Sequence, residues 1–226
     1  MTDPVRRAAL FATAAVMIAL RAGPARAGDV VGEIHLPGAP TEHLSANPYP
    51  GRVGAASRPA GESGSASELA DAVVYIESLD PPFPYEPPTG AAMAQRGQAF
   101  VPRVLPIMIH QIVAFPNDDP IYHNVFSYSP CCRFDLGRYP RGKSKSVTFD
   151  ETGIVRVFCE IHSNMAGFVL VLQNPCFTKP GLDGHYRITS VPPGIHTLVF
   201  WHPEIGRRSW PVTVPADSTV TFDLGL

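Results

Sequence analysis

Long apolar runs are almost absent from this sequence. The one candidate, Ala8 to Leu20, is too short to span a bilayer, and no later stretch is apolar for long enough to be a transmembrane helix. An excess of one charge is also missing. Eighteen Lys and Arg stand against 20 Asp and Glu, and the basic residues are scattered rather than striped. That argues against a nucleic-acid surface and against a polybasic membrane surface. No segment carries a persuasive 3.6-residue apolar period, so helices are not expected. No Ser-His-Asp order, phosphate loop or Gly-rich nucleotide fingerprint is present. Cysteine is scarce, at four residues.

What is abundant is proline and glycine, 25 and 19 residues. They punctuate short β-branched and aromatic runs, which is the pattern of an all-β chain. Arg6-Arg7, the short apolar run and Ala25-Arg26-Ala27 together read as a secretory signal over 1–27, cleaved before Gly28. The expected mature protein is exported, periplasmic, and has no membrane segment after cleavage. Its length of about 200 residues fits one large β domain or two small ones.

Asp29 to Leu36 alternates as a strand, and Ala72 to Glu77 is a second. Between them, 41–67 is rich in Gly, Ala, Ser, Pro and Asn with little to bury, and reads as a disordered surface insertion. Residues 79–95 include Pro81-Pro82-Phe83-Pro84-Tyr85-Glu86-Pro87-Pro88 and read as an extended linker. A compact β series then fills 96–173, of Greek-key size at about 80 residues. A further series of short strands, beginning after Asp183-Gly184, occupies 174–226.

The chemistry concentrates in one place. Val157-Phe158-Cys159-Glu160-Ile161-His162-Ser163-Asn164-Met165 places a thiolate, an imidazole and a thioether on one strand end and the turn after it. His123, on an upstream strand, offers a second imidazole. One thiolate, two imidazoles and a thioether suit a trigonal copper site with a weak axial Met. The competing reading is a buried structural Cys beside unrelated histidines. If Cys159 binds metal, Cys131, Cys132 and Cys176 are left over. Pairing of Cys176 with Cys131 or Cys132 is expected, with a strained Cys131–Cys132 bridge as the alternative.

The remaining polar residues read as structural. His110 falls at a turn, and His185 and His196 lie on tail strands. Asp118 and Asp119, in the Pro-flanked turn Pro116 to Pro120, read as solvated caps rather than an acid–base pair.

Residues 96–173 resemble a cupredoxin of the plastocyanin and azurin superfamily, most closely the bacterial plastocyanin-like proteins called methylamine-utilisation proteins. The matching words are Phe100-Val101-Pro102-Arg103, Phe115 to Pro120, His123-Asn124-Val125-Phe126-Ser127, Phe134-Asp135-Leu136-Gly137, Val147 to Asp150 and Val157 to His162. The resemblance implies one copper ion, Cu(I)/Cu(II), held by His123, Cys159 and His162 with Met165 axial. It also implies a role for Asn117 in bridging the ligand loop; the residue read alone suits an Asx turn. Two residues separate His162 from Met165, where plastocyanin-like loops usually place four. A binuclear centre would need a second loop cysteine, and Cys159 stands alone.

Residues 174–226 resemble a transthyretin-like, carboxypeptidase-regulatory β-sandwich through Asp183 to Ile188 and Val191-Pro192-Pro193-Gly194. That resemblance assigns Gly28 to Gly32 and Ala72 to Ile76 to the same sandwich, with the copper unit inserted into it. It also leaves room for a role of His202 facing the copper unit. The function implied is single-electron transfer between protein redox partners, not catalysis. Copper storage or delivery is the alternative, and an enzyme with an open copper position is a third reading. His162 is the expected electron exit, with Ile161, Ala166 and Phe168 as an apolar docking patch.

Overall fold

A computed structural model describes residues 26–36, 69–79 and 85–226. Most of the expected export signal, the insertion 41–67 and linker residues 81–84 lie outside the described residues. The described residues form strands β1 (Gly28–His35), β2 (Val73–Ile76), β3 (Ala91–Ala92), β4 (Ala94–Arg96), β5 (Ala99–Val101) and β6 (Val104–Met108). They continue as β7 (Ile112–Pro116), β8 (His123–Ser129), β9 (Cys132–Tyr139), β10 (Ser144–Thr148), β11 (Gly153–Phe158) and β12 (Ala166–Leu172). The tail adds β13 (Phe177–Thr178), β14 (His185–Val191), β15 (Gly194–His202), β16 (Gly206–Val214), β17 (Thr219–Thr221) and β18 (Leu224–Gly225). Strands make up nearly all of the regular structure of the described residues, as the punctuation predicts.

Strands β3 to β12 make one sandwich. Its larger sheet runs β6-β12-β11-β8-β9, and its smaller sheet runs β10-β7-β3. Val113, Phe115, Val125, Val155, Val157 and Val169 meet in the shared core with Phe100 and Phe149. Their alternate positions along each strand explain the packing, because a period of two sends every second side chain inward. The unit begins earlier than the sequence suggests. Ala91-Ala92 pairs with β7, and Met93 is fully buried, so the end of the expected linker is already part of the fold. Two sheets over one shared core meet the expectation of a β-sandwich in this part of the chain.

The second core is assembled from both ends of the chain. β1 pairs antiparallel with β14 and parallel with β17 and β18. β2 lies between β13 and β15, with β16 beyond. Val30, Ile34, Val74 and Ile76 from the early strands pack with Ile188, Leu198, Phe200 and Val214 from the tail.

β12 joins the two cores. Val169 and Val171 face the first core, whereas Leu170 and Leu172 meet Val73, Val104 and Trp201 in a third cluster. The continuous run Phe168-Val169-Leu170-Val171-Leu172 thus has a use on both faces, which is the mark of a doubly covered strand. Phe168 stacks edge-on to Trp201 with ring centroids 5.6 Å apart. Arg103 ties the junction further, donating to Asp71 at 2.6 Å and Glu204 at 3.2 Å. Phe168 therefore belongs to this junction and not to a docking patch.

The expected long-range disulfide is corrected. All four cysteines are free, and Cys176 is buried in the second core while Cys131 and Cys132 border the first. Assigning Cys176 to the tail sandwich, with a core of its own, separates it from the other two.

Candidate metal centre

The site is built at one end of the larger sheet, where β8 begins and β11 ends. His123 opens β8 and is fully buried. Cys159 follows the last residue of β11 and is 4% exposed. The chain then turns at once. Met165 N–H donates to the His162 carbonyl at 3.0 Å, closing a four-residue turn around Ser163-Asn164. Cys159 N–H donates to the Met165 carbonyl at 3.2 Å, so the loop folds back on its own start. The short spacing to Met165 is thus the length of one turn, and Met165 is buried in the same core as Cys159.

Three donor atoms converge. His123 Nδ1 and His162 Nδ1 are 3.0 Å apart, and Cys159 Sγ is 3.7 Å from each. A triangle with sides of 3.0, 3.7 and 3.7 Å has its centre about 2.0 Å from every corner. That is the length of a bond from a first-row metal ion to nitrogen, and a little short for sulfur. Of the three residues, only His162 is partly exposed. Burial lowers the His162 pKa from its usual value, and the neighbouring His123 lowers it further against the pull of Asp119. A neutral imidazole is the form that can bind a metal.

His123 is held by a residue that sequence reasoning placed in solvent. Asp119 Oδ2 lies 2.9 Å from His123 Nε2. The carboxylate is only 7% exposed, so it is not a solvated cap. Desolvation pushes its pKa up, but the N–H groups of Gln98 and Gly97, together with His123, hold it below the ordinary carboxylate value. Those N–H groups donate to it at 2.8 and 2.7 Å. They belong to the two-residue turn between β4 and β5, where Gly97 and Gln98 both have positive φ. That hairpin geometry favours glycine at one position and strains a side chain at the other. An ionised Asp119 accepts the Nε2 proton of His123 and leaves the Nδ1 lone pair free toward the other donors. Asp118 points the other way, to Arg96 at 2.8 Å, and is exposed.

Asn117 is fully buried, but its hydrogen bonds do not reach the ligand loop. Its Nδ2 donates to the Ile121 and Tyr139 carbonyls at 2.9 and 3.0 Å, and its Oδ1 accepts from Asp119 N–H at 3.0 Å. It makes the Asx turn that delivers Asp119 and braces the approach to His123. The bridge to the ligand loop comes from Asn124 instead, whose Oδ1 accepts Glu160 N–H at 2.7 Å. The β8–β11 ladder pairs at Phe126 and Phe158, and this side chain extends the connection past its end. The motif His123-Asn124 carried the signal, since a polar residue beside a buried His on a strand has to find a partner.

The other histidines among the described residues stand apart. His110, with φ of 66°, faces Asp150 at 3.0 Å on the surface. His196 bonds the Pro192 carbonyl. His202 is buried at the end of β15, where its Nδ1 accepts from Glu204 and Ile205 N–H groups at 3.2 Å. Glu204 in turn meets Arg103, so His202 shapes the junction between the two sandwiches rather than the donor triangle.

No family model matches the sequence, and no curated protein matches it. Solved structures similar to part of the chain include a purple cupredoxin from Nitrosopumilus maritimus, at 22% identity and a TM-score of 0.34, covering 36% of this chain and 99% of that one. A reduced Cu(I) form of an amicyanin mutant is similar at 18% identity and a TM-score of 0.35, covering 45% and 98%. A copper-containing nitrite reductase from Thermus scotoductus SA-01 is similar at 24% identity and a TM-score of 0.37, covering 40% of this chain and 24% of that one. The chain thus spans about a quarter of the nitrite reductase.

Proposed function

We propose that this chain is an exported, periplasmic mononuclear copper protein that passes single electrons between protein partners. The observation that carries the reading is the closed triangle of His123 Nδ1, His162 Nδ1 and Cys159 Sγ, sized for one metal ion. A soft thiolate with two imidazoles selects copper over hard cations, and Met165 is the axial candidate from the same loop. Bound copper supplies a one-electron couple between Cu(I) and Cu(II).

The protein's part is to hold the donors still. Asp119 orients His123, Asn124 fixes Glu160 next to Cys159, and the His162–Met165 turn sets the loop. Holding ligands in one arrangement for both oxidation states reduces the rearrangement that accompanies each electron. His162 is the expected exit, because it alone of the three reaches solvent. Exposed Ile161 and half-buried Ala166 stay in the docking patch, and Ile121 and Tyr122, exposed beside His123 in sequence, replace Phe168 there. No helix among the described residues is long and apolar enough to cross a membrane.

The visible spectrum of the Cu(II) protein tests the reading. An intense thiolate-to-copper charge-transfer band is expected, and Cys159→Ser should abolish it. A colourless Cu(II) complex of the wild-type protein would overturn the proposal.

A further inference from the structure

The first sandwich carries two more thiols, at the end away from the donor triangle. Cys131 and Cys132 sit at the β8–β9 hairpin, where Ser129 pairs with Cys132 and Pro130-Cys131 form the turn. β8 runs from His123 to Ser129, so the hairpin lies a strand length, about 20 Å, from the triangle. Both thiols are half-buried and free, on neighbouring residues of one hairpin.

The opposing segment makes room for them. A Cβ at Gly153 would stand 3.1 Å from Cys131 Sγ, so the glycine there leaves the sulfur its space. Cys132 Sγ lies 4.0 Å from the Glu151 carbonyl. Two sulfurs thus share one niche against the start of β11.

Such a pair does not close readily on itself. Successive Cα atoms across a trans peptide are about 3.8 Å apart, below the range of about 4.4–6.8 Å that disulfides favour. The Cys132 thiol is not easily deprotonated either. Burial, then the adjacent Cys131, push the Cys132 pKa up to about 12. A bound cation reverses that balance by neutralising the two charges that otherwise repel.

We propose that Cys131 and Cys132 form a second metal site, a two-thiolate ligand pair for a monovalent thiophilic ion such as Cu(I). Binding replaces two S–H bonds with two S–metal bonds and releases two protons; no electron changes hands. Two soft donors and no imidazole suit Cu(I) and offer little to Cu(II) or to hard cations. The site stands independently of the function assigned to the triangle, since the two share no residue.

The test is an anaerobic titration of the full reduced chain with Cu(I) against a chromophoric Cu(I) chelator. The wild type is expected to take two ions, and Cys131→Ser/Cys132→Ser one, with the Cu(II) charge-transfer band of the triangle unchanged. Cys159→Ser should still bind one ion through the hairpin. In case the double variant fails to fold, a trivalent aryl arsenical on the folded wild type gives a second readout. Proteolysis and mass measurement should find it bridging Cys131 and Cys132, and prior Cu(I) loading should block the adduct. Equal numbers of ions bound by the wild type and the double variant overturn the proposal, whatever the triangle itself binds. So does a Cys131–Cys132 disulfide in the freshly purified protein, or an arsenical adduct indifferent to Cu(I).

Discussion

Asp119 accepts a hydrogen bond from His123 at 2.9 Å while taking two more from the backbone of the Gly97-Gln98 turn. A carboxylate behind a candidate ligand raises the basicity of the imidazole and favours the more highly charged metal ion. Asp119→Asn keeps the shape and removes the charge. It is expected to raise the reduction potential and to weaken Cu(II) binding by about 10–100-fold. Potentiometry and chelator competition read the two effects; an unchanged potential would remove Asp119 from the role.

Asn124 is buried and holds the ligand loop through Glu160 N–H. Asn124→Ala leaves that donor without its partner and should lower stability by about 1–3 kcal/mol. Thermal unfolding of the apo protein measures it. Asn117→Ala should also destabilise, but through the turn that carries Asp119, so its effect on the potential should vanish in the Asp119→Asn background.

Met165 is buried against Cys159 at the end of a one-turn loop. Met165→Leu is expected to retain copper and shift the potential, since an axial thioether tunes the ion rather than holding it. Loss of copper, or no shift, contradicts that role.

Trp201 plugs the junction between the sandwiches, against Phe168. Trp201→Ala should cost about 3–5 kcal/mol. Calorimetry should then resolve two unfolding transitions where the wild type shows one, with the copper band following the transition of residues 91–172.

The pH dependence of the apo protein follows from His162. Its folded pKa is lowered from 6.5, chiefly by burial. The unfolded chain therefore binds more protons in the window below 6.5, and stability falls as pH falls through that window. Denaturant titration of the apo protein between pH 7.5 and about 5 tests the sign; replacement of His162 by Gln should flatten the slope.

Much of this was legible in the residues. The β-type runs around Val30, Val74, Phe115, Val155 and Leu170 announced strands because a two-residue period with β-branched side chains suits a half-buried pleat. Cys159, His162 and Met165 lie within one strand end and one turn, so local geometry alone brings them close. β9 was missed. Its Arg133, Asp135 and Arg138 dilute the apolar signal, although Cys132, Phe134, Leu136 and Tyr139 pack in the first core.

Tertiary structure decided the remainder, because the deciding contacts join segments that carry no mutual signal. An acid in a Pro-flanked turn is solvated by default, and Asp119 is buried only because a separate hairpin folds over it. Phe168 was expected in a docking patch, and the second sandwich on the outer face of β12 made it and Leu170 part of a junction. Cys176 was an even match for Cys131 until its own core took it away. The sequence by itself determined the element type and the grouping of Cys159, His162 and Met165, which depend on local periodicity and short spacing. Which polar groups brace the donors, and which apolar faces are covered, depend on three-dimensional neighbours and were set only when the sheets packed.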